Sequence, residues 1–206
     1  MCIRDRQYLL TKEAYKDCIL FYRLGDFYEM FFEDAIIASR ELEIVLTGRD
    51  CGLEERAPMC GVPYHSVDGY IKKLIEKGYK VAICEQLTDP ALSKGLVERD
   101  VVRIITPGTV IEDSMIDRER NTFILSLYAQ DKRLGLAWCD VSTGEFFTDE
   151  VPAEDISAAL QAQIARIDPA EIITDDSTYL LGTTVFGACN RLVTPVDIKT
   201  TPSAIR

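Results

Sequence analysis

The 206-residue chain has one histidine, one tryptophan and no apolar run near the ~20 residues that a bilayer-spanning helix needs. A lone His65 removes multi-histidine metal centres and any catalytic set that requires a second imidazole; in PYHSV it reads as ordering the helix that follows. The N-terminus lacks the basic, apolar, small-residue order of a secretory signal, so the sequence predicts a soluble, cytoplasmic protein with no membrane contact. The seven cysteines are an odd number without a C-x-x-C pair, mostly in apolar, strand-like surroundings such as VAICEQL. They read as reduced core or surface thiols rather than a disulfide framework. Positive charge is also scarce: 23 Lys+Arg against 34 Asp+Glu leave a formal net charge of -11. That argues against a general nucleic-acid-coating protein, because non-specific affinity comes from cations that neutralise phosphates. The deficit is uneven, with 13 basic and 17 acidic residues over 7–108 but 8 and 16 over 109–206, so any nucleic-acid contact belongs in the first half. No G-x-x-x-x-G-K-[ST] loop, internal repeat or low-complexity tract is visible.

What is present is 47% apolar residues at a length above the usual single domain, enough for two small cores. Residues 1–6, MCIRDR, coincide with the translation of a transposon-end adapter used in sequencing libraries and are set aside as a non-native scar. QYLLTKEAYK, from Gln7 to Lys16, has helical spacing. Two β-rich segments, Ile19 to Arg23 and Phe27 to Phe31, flank Leu24-Gly25-Asp26 and predict a hairpin. EDAIIASRELEIVL predicts a second helix with acids in its first turn. TGRDCGLEERAPMCGVPY, rich in Gly, Pro and charge, predicts a loop with at most short strands. Ser66-Val67-Asp68 opens a helix ended by Gly78, and Lys80 to Gln86 reads as a buried strand. Leu87 to Arg99 is loop-like, and DVVRIITPG supplies another strand.

Past residue 120, NTFILSLYAQ, RLGLAWCDVS and GEFFTDEV, joined by Asp-Lys and Thr-Gly turns, predict a three-stranded antiparallel meander. AEDISAALQAQIARID follows with Ile156, Leu160, Ile164 and Ile167 on one helical face, then the strand EIITDD. The order β-β-β-α-β suggests an RNase H-like unit. The tail from Ser177 to Arg206 is weakly patterned and is expected to end mid-domain.

Four blocks stand out in order: FYRLGDFYEMFFEDA at 21–35, PMCGVPYHSV at 58–67, VAICEQLTDPALSKGLVERDVVRIITPGT at 81–109 and DVSTGEF at 140–146. Together they resemble the MutS mismatch-recognition family, with the likeness running from Gln7 to about Pro169. The resemblance implies an α/β chain with a mixed-sheet mismatch-binding domain over 7–108, a linker over 109–115 and an incomplete RNase H-like connector domain over 116–206. It implies recognition of mispaired or unpaired bases in duplex DNA, no catalysis by this chain, and no cofactor within it. The complete parent would be a homodimeric ATPase using ATP and Mg²⁺, with a MutL-type protein docking on the connector.

Within the GDFYE block, the resemblance assigns mismatch reading to Phe27 and Glu29, with Tyr28 pointing the other way along the strand. An aromatic wedge in the minor groove must unstack a base step, which is easier at a mismatch, and stacking does not depend on base identity. A carboxyl group can hydrogen-bond a displaced base while being repelled by ordinary duplex. The alternative is an inward-facing strand phenylalanine beside a solvated glutamate. Arg49 falls where the family has a cation near the DNA backbone, or is a solvated loop charge; Met59 faces the same groove, or plugs the core. Asp140, Glu145 and Asp175 invite a two-metal nuclease reading. Against it stands the resemblance itself, since connector domains share this fold without the catalytic set. A third possibility is a protein-interaction module in which the acidic second half docks a basic partner.

Overall fold

In the computed structural model, residues 3–50, 56–88, 97–111, 115 and 121–197 are described. They fall into two units, Met1–Thr106 and Pro107–Arg206. Parts of the expected scar (1–2), of the two expected loops (51–55 and 89–96), of the linker (112–114) and of the tail (198–206) lie outside the described residues.

The first unit begins with helix α1 (Ile3–Ala14), which starts before the expected Gln7. Strands β1 (Cys18–Leu24) and β2 (Phe27–Phe31) form the hairpin, followed at once by α2 (Phe32–Leu42). Then come β3 (Thr47–Arg49), β4 (Ala57–Pro63), a 3-10 turn at Tyr64–Ser66, α3 (Val67–Glu76), β5 (Lys80–Gln86) and β6 (Arg99–Ile105). The six strands order as β3-β4-β2-β1-β5-β6, with only β1 and β5 parallel. The seven-residue β4 replaces the expected loop. Burial of Cys60 and Val62 between two neighbouring strands overrides a Gly- and Pro-rich composition, and Pro58 and Pro63 sit towards the strand's ends where missing N–H donors cost least.

Alternation along the strands sends residues to two covered faces. Tyr8 of α1 packs with Cys18, Leu20, Tyr22, Phe31, Ala82 and Cys84 on one. On the other, α2 and α3 pack with their buried Ala35, Ala38, Ile71 and Leu74, and the Cys60 thiol donates to the Ala35 carbonyl at 3.5 Å. The β1–β2 ladder is registered from Leu24↔Phe27 to Tyr22↔Glu29, and beyond it the chain turns into α2. Asp34 then takes over: its carboxylate accepts from the Leu20 N–H at 3.0 Å and the Tyr8 hydroxyl at 3.1 Å, and pairs with Lys12 at 2.8 Å. A buried backbone donor is thereby satisfied and α1 is tied to the sheet. Burial beside this carboxylate drives the Tyr8 hydroxyl far above its ordinary pKa, so it remains a donor.

The second unit contains the expected meander, β7 (Phe123–Gln130), β8 (Arg133–Asp140) and β9 (Glu145–Pro152), then α4 (Ile156–Ile167) and β10 (Glu171–Thr174). Asp131 and Lys132 both take positive φ in the β7–β8 turn, matching the right-handed twist of the strands. Leu160, Ile164 and Ile167 of α4 pack against Leu125, Leu127, Leu134 and Leu136. The weakly patterned tail contains α5 (Asp176–Leu181), α6 (Thr183–Ala188) and β11 (Leu192–Pro195). Six-residue helices are too short to display a period; here Thr178 and Phe186 hold them through burial. Parallel pairing of β10 with both β7 and β11 gives the order β9-β8-β7-β10-β11, or 3-2-1-4-5 within the unit, an RNase H-like arrangement.

No helix among the described residues is long and apolar enough to cross a membrane. Cys18, Cys60 and Cys84 are buried free thiols and Cys139 and Cys189 are partly exposed ones. Burial pushes Cys18 and Cys60 up to about 11 and Cys84 up to about 12, leaving them unreactive at neutral pH.

Candidate nucleic-acid interface

The β1–β2 turn sets the geometry of the site. Gly25 has φ of 60° and Asp26 does not have a positive φ, the pattern of a two-residue turn whose first central position favours glycine. Leu24 and Phe27 close it as the last registered pair. Phe27 is 48% exposed, whereas Tyr28, Met30 and Phe31 of the same strand are 5%, 0% and 5% exposed. By strand alternation Phe27, Glu29 and Phe31 share the α1 face, but only Phe31 belongs to the cluster beneath α1. Tyr28 points the other way; its hydroxyl donates to Glu85 on β5, and burial, reinforced by that carboxylate, raises it to about 12.

Glu29 lies across from Tyr22 on β1 and Gly61 on β4. A Cβ on Gly61 would sit 3.2 Å from the Tyr28 carbonyl oxygen, so the glycine lets that carbonyl approach closely beside Glu29. Arg49, on β3, pairs with Glu29 at 3.4 Å, both side chains about three-quarters buried, and its guanidinium carbon lies 5.6 Å from the Phe31 ring centre. The structure therefore joins Arg49 to Glu29. Met59, opposite Phe31, packs partly buried against the α1-side cluster. His65 meets Tyr64 edge-on at 5.8 Å, next to the turn that leads into α3.

Sequence reasoning passed over Gly61, Arg23, Tyr64 and Arg99. Arg99 donates from Nε to the Arg23 carbonyl at 3.0 Å and lies 5.3 Å from the Tyr22 ring centre, adding a cation near the hairpin. All four lie within the quoted blocks, but the pairing of β4, β2, β1, β5 and β6 is what brings them around the hairpin, Arg23 and Tyr64 on one face and Arg99 on the other.

The carboxylates that suggested a metal site act as local caps. Asp140, 2% exposed, accepts from the Thr122 N–H at 2.9 Å and from the Ser142 N–H and hydroxyl at 2.8 and 2.6 Å. Burial alone would raise its pKa, but these donors outweigh it and hold the group below its ordinary range. Asp175 caps α5 through Ser177 and Thr178, with the same balance of effects. Glu145 accepts from Asn121 at 3.1 Å. No group of three or more His, Cys, Asp or Glu converges among the described residues.

Comparison with known proteins supplies the context for this geometry. A family model described as MutS domain I matches residues 4–114, and one described as MutS domain II matches 122–193. The chain is 60% identical over 174 residues to the DNA mismatch repair protein MutS of Acetivibrio thermocellus, covering 84% of this chain and 20% of that protein. To the protein of the same name in Clostridium beijerinckii it is 53% identical over 194 residues, covering 94% of this chain and 21% of the relative. It thus spans about a fifth of the length of the curated relatives it matches.

Proposed function

The chain belongs to the MutS family, and on that premise we propose that its first unit reads mispaired or unpaired bases in duplex DNA by inserting the Phe27 ring, with Glu29 beside it. The observation that carries this reading is the 48% exposure of Phe27 at the tip of a strand whose other large residues are buried. Burying an aromatic ring is favourable, so a phenylalanine left out at a rigid turn gains by finding a stacking partner elsewhere. A weakly stacked base step offers that surface at lower cost than regular duplex, and the ring does not distinguish bases.

Glu29 discourages insertion into paired DNA because its carboxylate meets phosphate charge, whereas a displaced base can donate a hydrogen bond to it, or accept one when the group is protonated. Arg49 holds the carboxylate near the ring in the free protein and becomes a phosphate contact in the bound one. Met59 borders the same groove. The complete protein, by the same reading, is a cytoplasmic, homodimeric, ATP- and Mg²⁺-dependent mismatch repair ATPase that receives a MutL-type protein on the connector unit.

Fluorescence anisotropy with duplexes that differ by one unpaired base tests the proposal. The chain alone should bind weakly, with affinity falling as salt rises, because an acidic unit offers few phosphate contacts. Preference for the unpaired base should vanish in Phe27→Ala; equal preference in that variant would remove the wedge.

A further inference from the structure

Behind the turn that carries Phe27, on the opposite face of the hairpin, Arg23 makes a set of contacts for which the wedge and its glutamate have no use. Its Nε donates to the Gly25 carbonyl at 2.5 Å. Its guanidinium carbon lies 3.9 Å from the Tyr64 ring centre and 5.4 Å from that of Tyr28. Tyr64 closes the circuit, its backbone N–H donating to the Asp26 carbonyl at 3.0 Å. Both carbonyls of the two-residue turn are thus held, one by the Arg23 side chain and one by the Tyr64 backbone, while the guanidinium stacks on the ring of the second holder. Tyr28 links the stack to β5 through Glu85.

A glycine-led turn at a sheet's end is otherwise its most pliable part, and nothing lies within 4 Å of where a Cβ on Gly25 would be. A ring that must slip between bases gains affinity when its backbone is already in the bound direction, because ordering it on binding subtracts from the stacking energy. We propose that Arg23 is a positioning residue for Phe27, clamping the Gly25-Asp26 turn from behind through its planar guanidinium and Tyr64. Lysine would keep the charge but lose both the donor fork and the stacking plane. The role presupposes Phe27 as the inserting ring, so one arm of the test avoids DNA.

In that arm, hydrogen exchange at the Tyr64 amide is followed in the whole chain. Arg23→Lys and Arg23→Leu should each accelerate it by roughly three- to tenfold, the range of a partly exposed cation–π contact. Wild-type exchange in Arg23→Lys would overturn the clamp, since charge alone would then suffice. In the second arm, 2-aminopurine fluorescence beside an unpaired base reports ring insertion at low ionic strength. Both variants should lose signal by about the same factor while homoduplex affinity is unchanged. Equal loss on both duplexes in Arg23→Leu with recovery in Arg23→Lys would instead identify a phosphate contact and overturn the proposal. Should Arg23→Leu fail to fold, Tyr64→Leu removes the stacking plane with Arg23 intact; faster exchange of its backbone amide supports the clamp and unchanged exchange overturns it. A Phe27→Ala control that keeps the fluorescence signal overturns the wedge and with it the positioning role, while the exchange arm still reports whether Arg23 holds the turn.

Discussion

In the first unit the buried carboxylate of Asp34 is tied to a cation, Lys12, as well as to Tyr8 and the Leu20 amide; in the second, the equally buried Asp140 accepts from the Ser142 hydroxyl and from the Thr122, Ser142 and Thr143 N–H groups, all neutral donors. Asp34 joins three elements, α1, α2 and β1, through one side chain, whereas Asp140 caps the β8–β9 turn through Ser142 and Thr143 and holds the Thr122 N–H just before β7. The exposed aromatics differ as well. Phe146 is 66% exposed, more than Phe27 at 48%, and lies along the edge strand β9, whose Asp149 and Glu150 pair with Arg166 and Arg133. Phe27 stands at a turn held by Arg23 and Tyr64, with Arg49 and Arg99 close to the hairpin. Exposure alone therefore does not single out Phe27; under the proposed wedge, the held turn beneath the ring is what sets it apart from Phe146.

The comparison can be broken most forcefully at Asp34. Asp34→Ala strands the Leu20 backbone donor and removes the counter-charge from Lys12, which is left with the Lys16 and Cys18 carbonyls, and should cost the first unit about 3 kcal/mol while leaving the second unchanged, as read by site-resolved hydrogen exchange. Phe27→Ala should lower the preference for an unpaired base by the ~1–3 kcal/mol typical of one stacked ring, with urea midpoints unmoved. Asp140→Asn should cost the second unit ~1–2 kcal/mol, since the amide cannot accept every donor now satisfied. Acid sharpens this contrast. Asp140 and Asp175 have folded pKa values below the ordinary 3.8, so their contribution is complete above that value and is lost as pH falls through the folded ones. An acid titration should accordingly loosen the second unit in that window, and less so in the Asp140→Asn variant, where Asp175 alone of the two still contributes. The smallest effect is at Glu29→Gln, which should raise homoduplex affinity by under ~1 kcal/mol because Arg49 already offsets much of the carboxylate's charge.

Much of the fold was legible beforehand. The hairpin at Gly25-Asp26, the strand Lys80–Gln86, the meander with its Asp131-Lys132 turn and the α4 stripe each carry a strong local signal. β4 and the β11 end of the second sheet were missed for one reason: their conformation is imposed by the strands they pair with, and neither shows its own alternation or period. For the site, the blocks brought Phe27 and Glu29 to notice, but not the Arg49–Glu29 ion pair or the close approach of Gly61 to the Tyr28 carbonyl.

The order of residues by itself determined which segments alternate, which turns accept positive φ and where apolar stripes fall, since all of these depend on neighbours a few positions apart. Only the tertiary structure decided that Phe27 stays outside while Phe31 is covered, that Arg49 meets Glu29 across twenty positions, and that Arg23 and Tyr64 hold one turn between them. Those outcomes depend on strand order and register, and a pairing shifted by one residue would have sent each of these side chains to the opposite face.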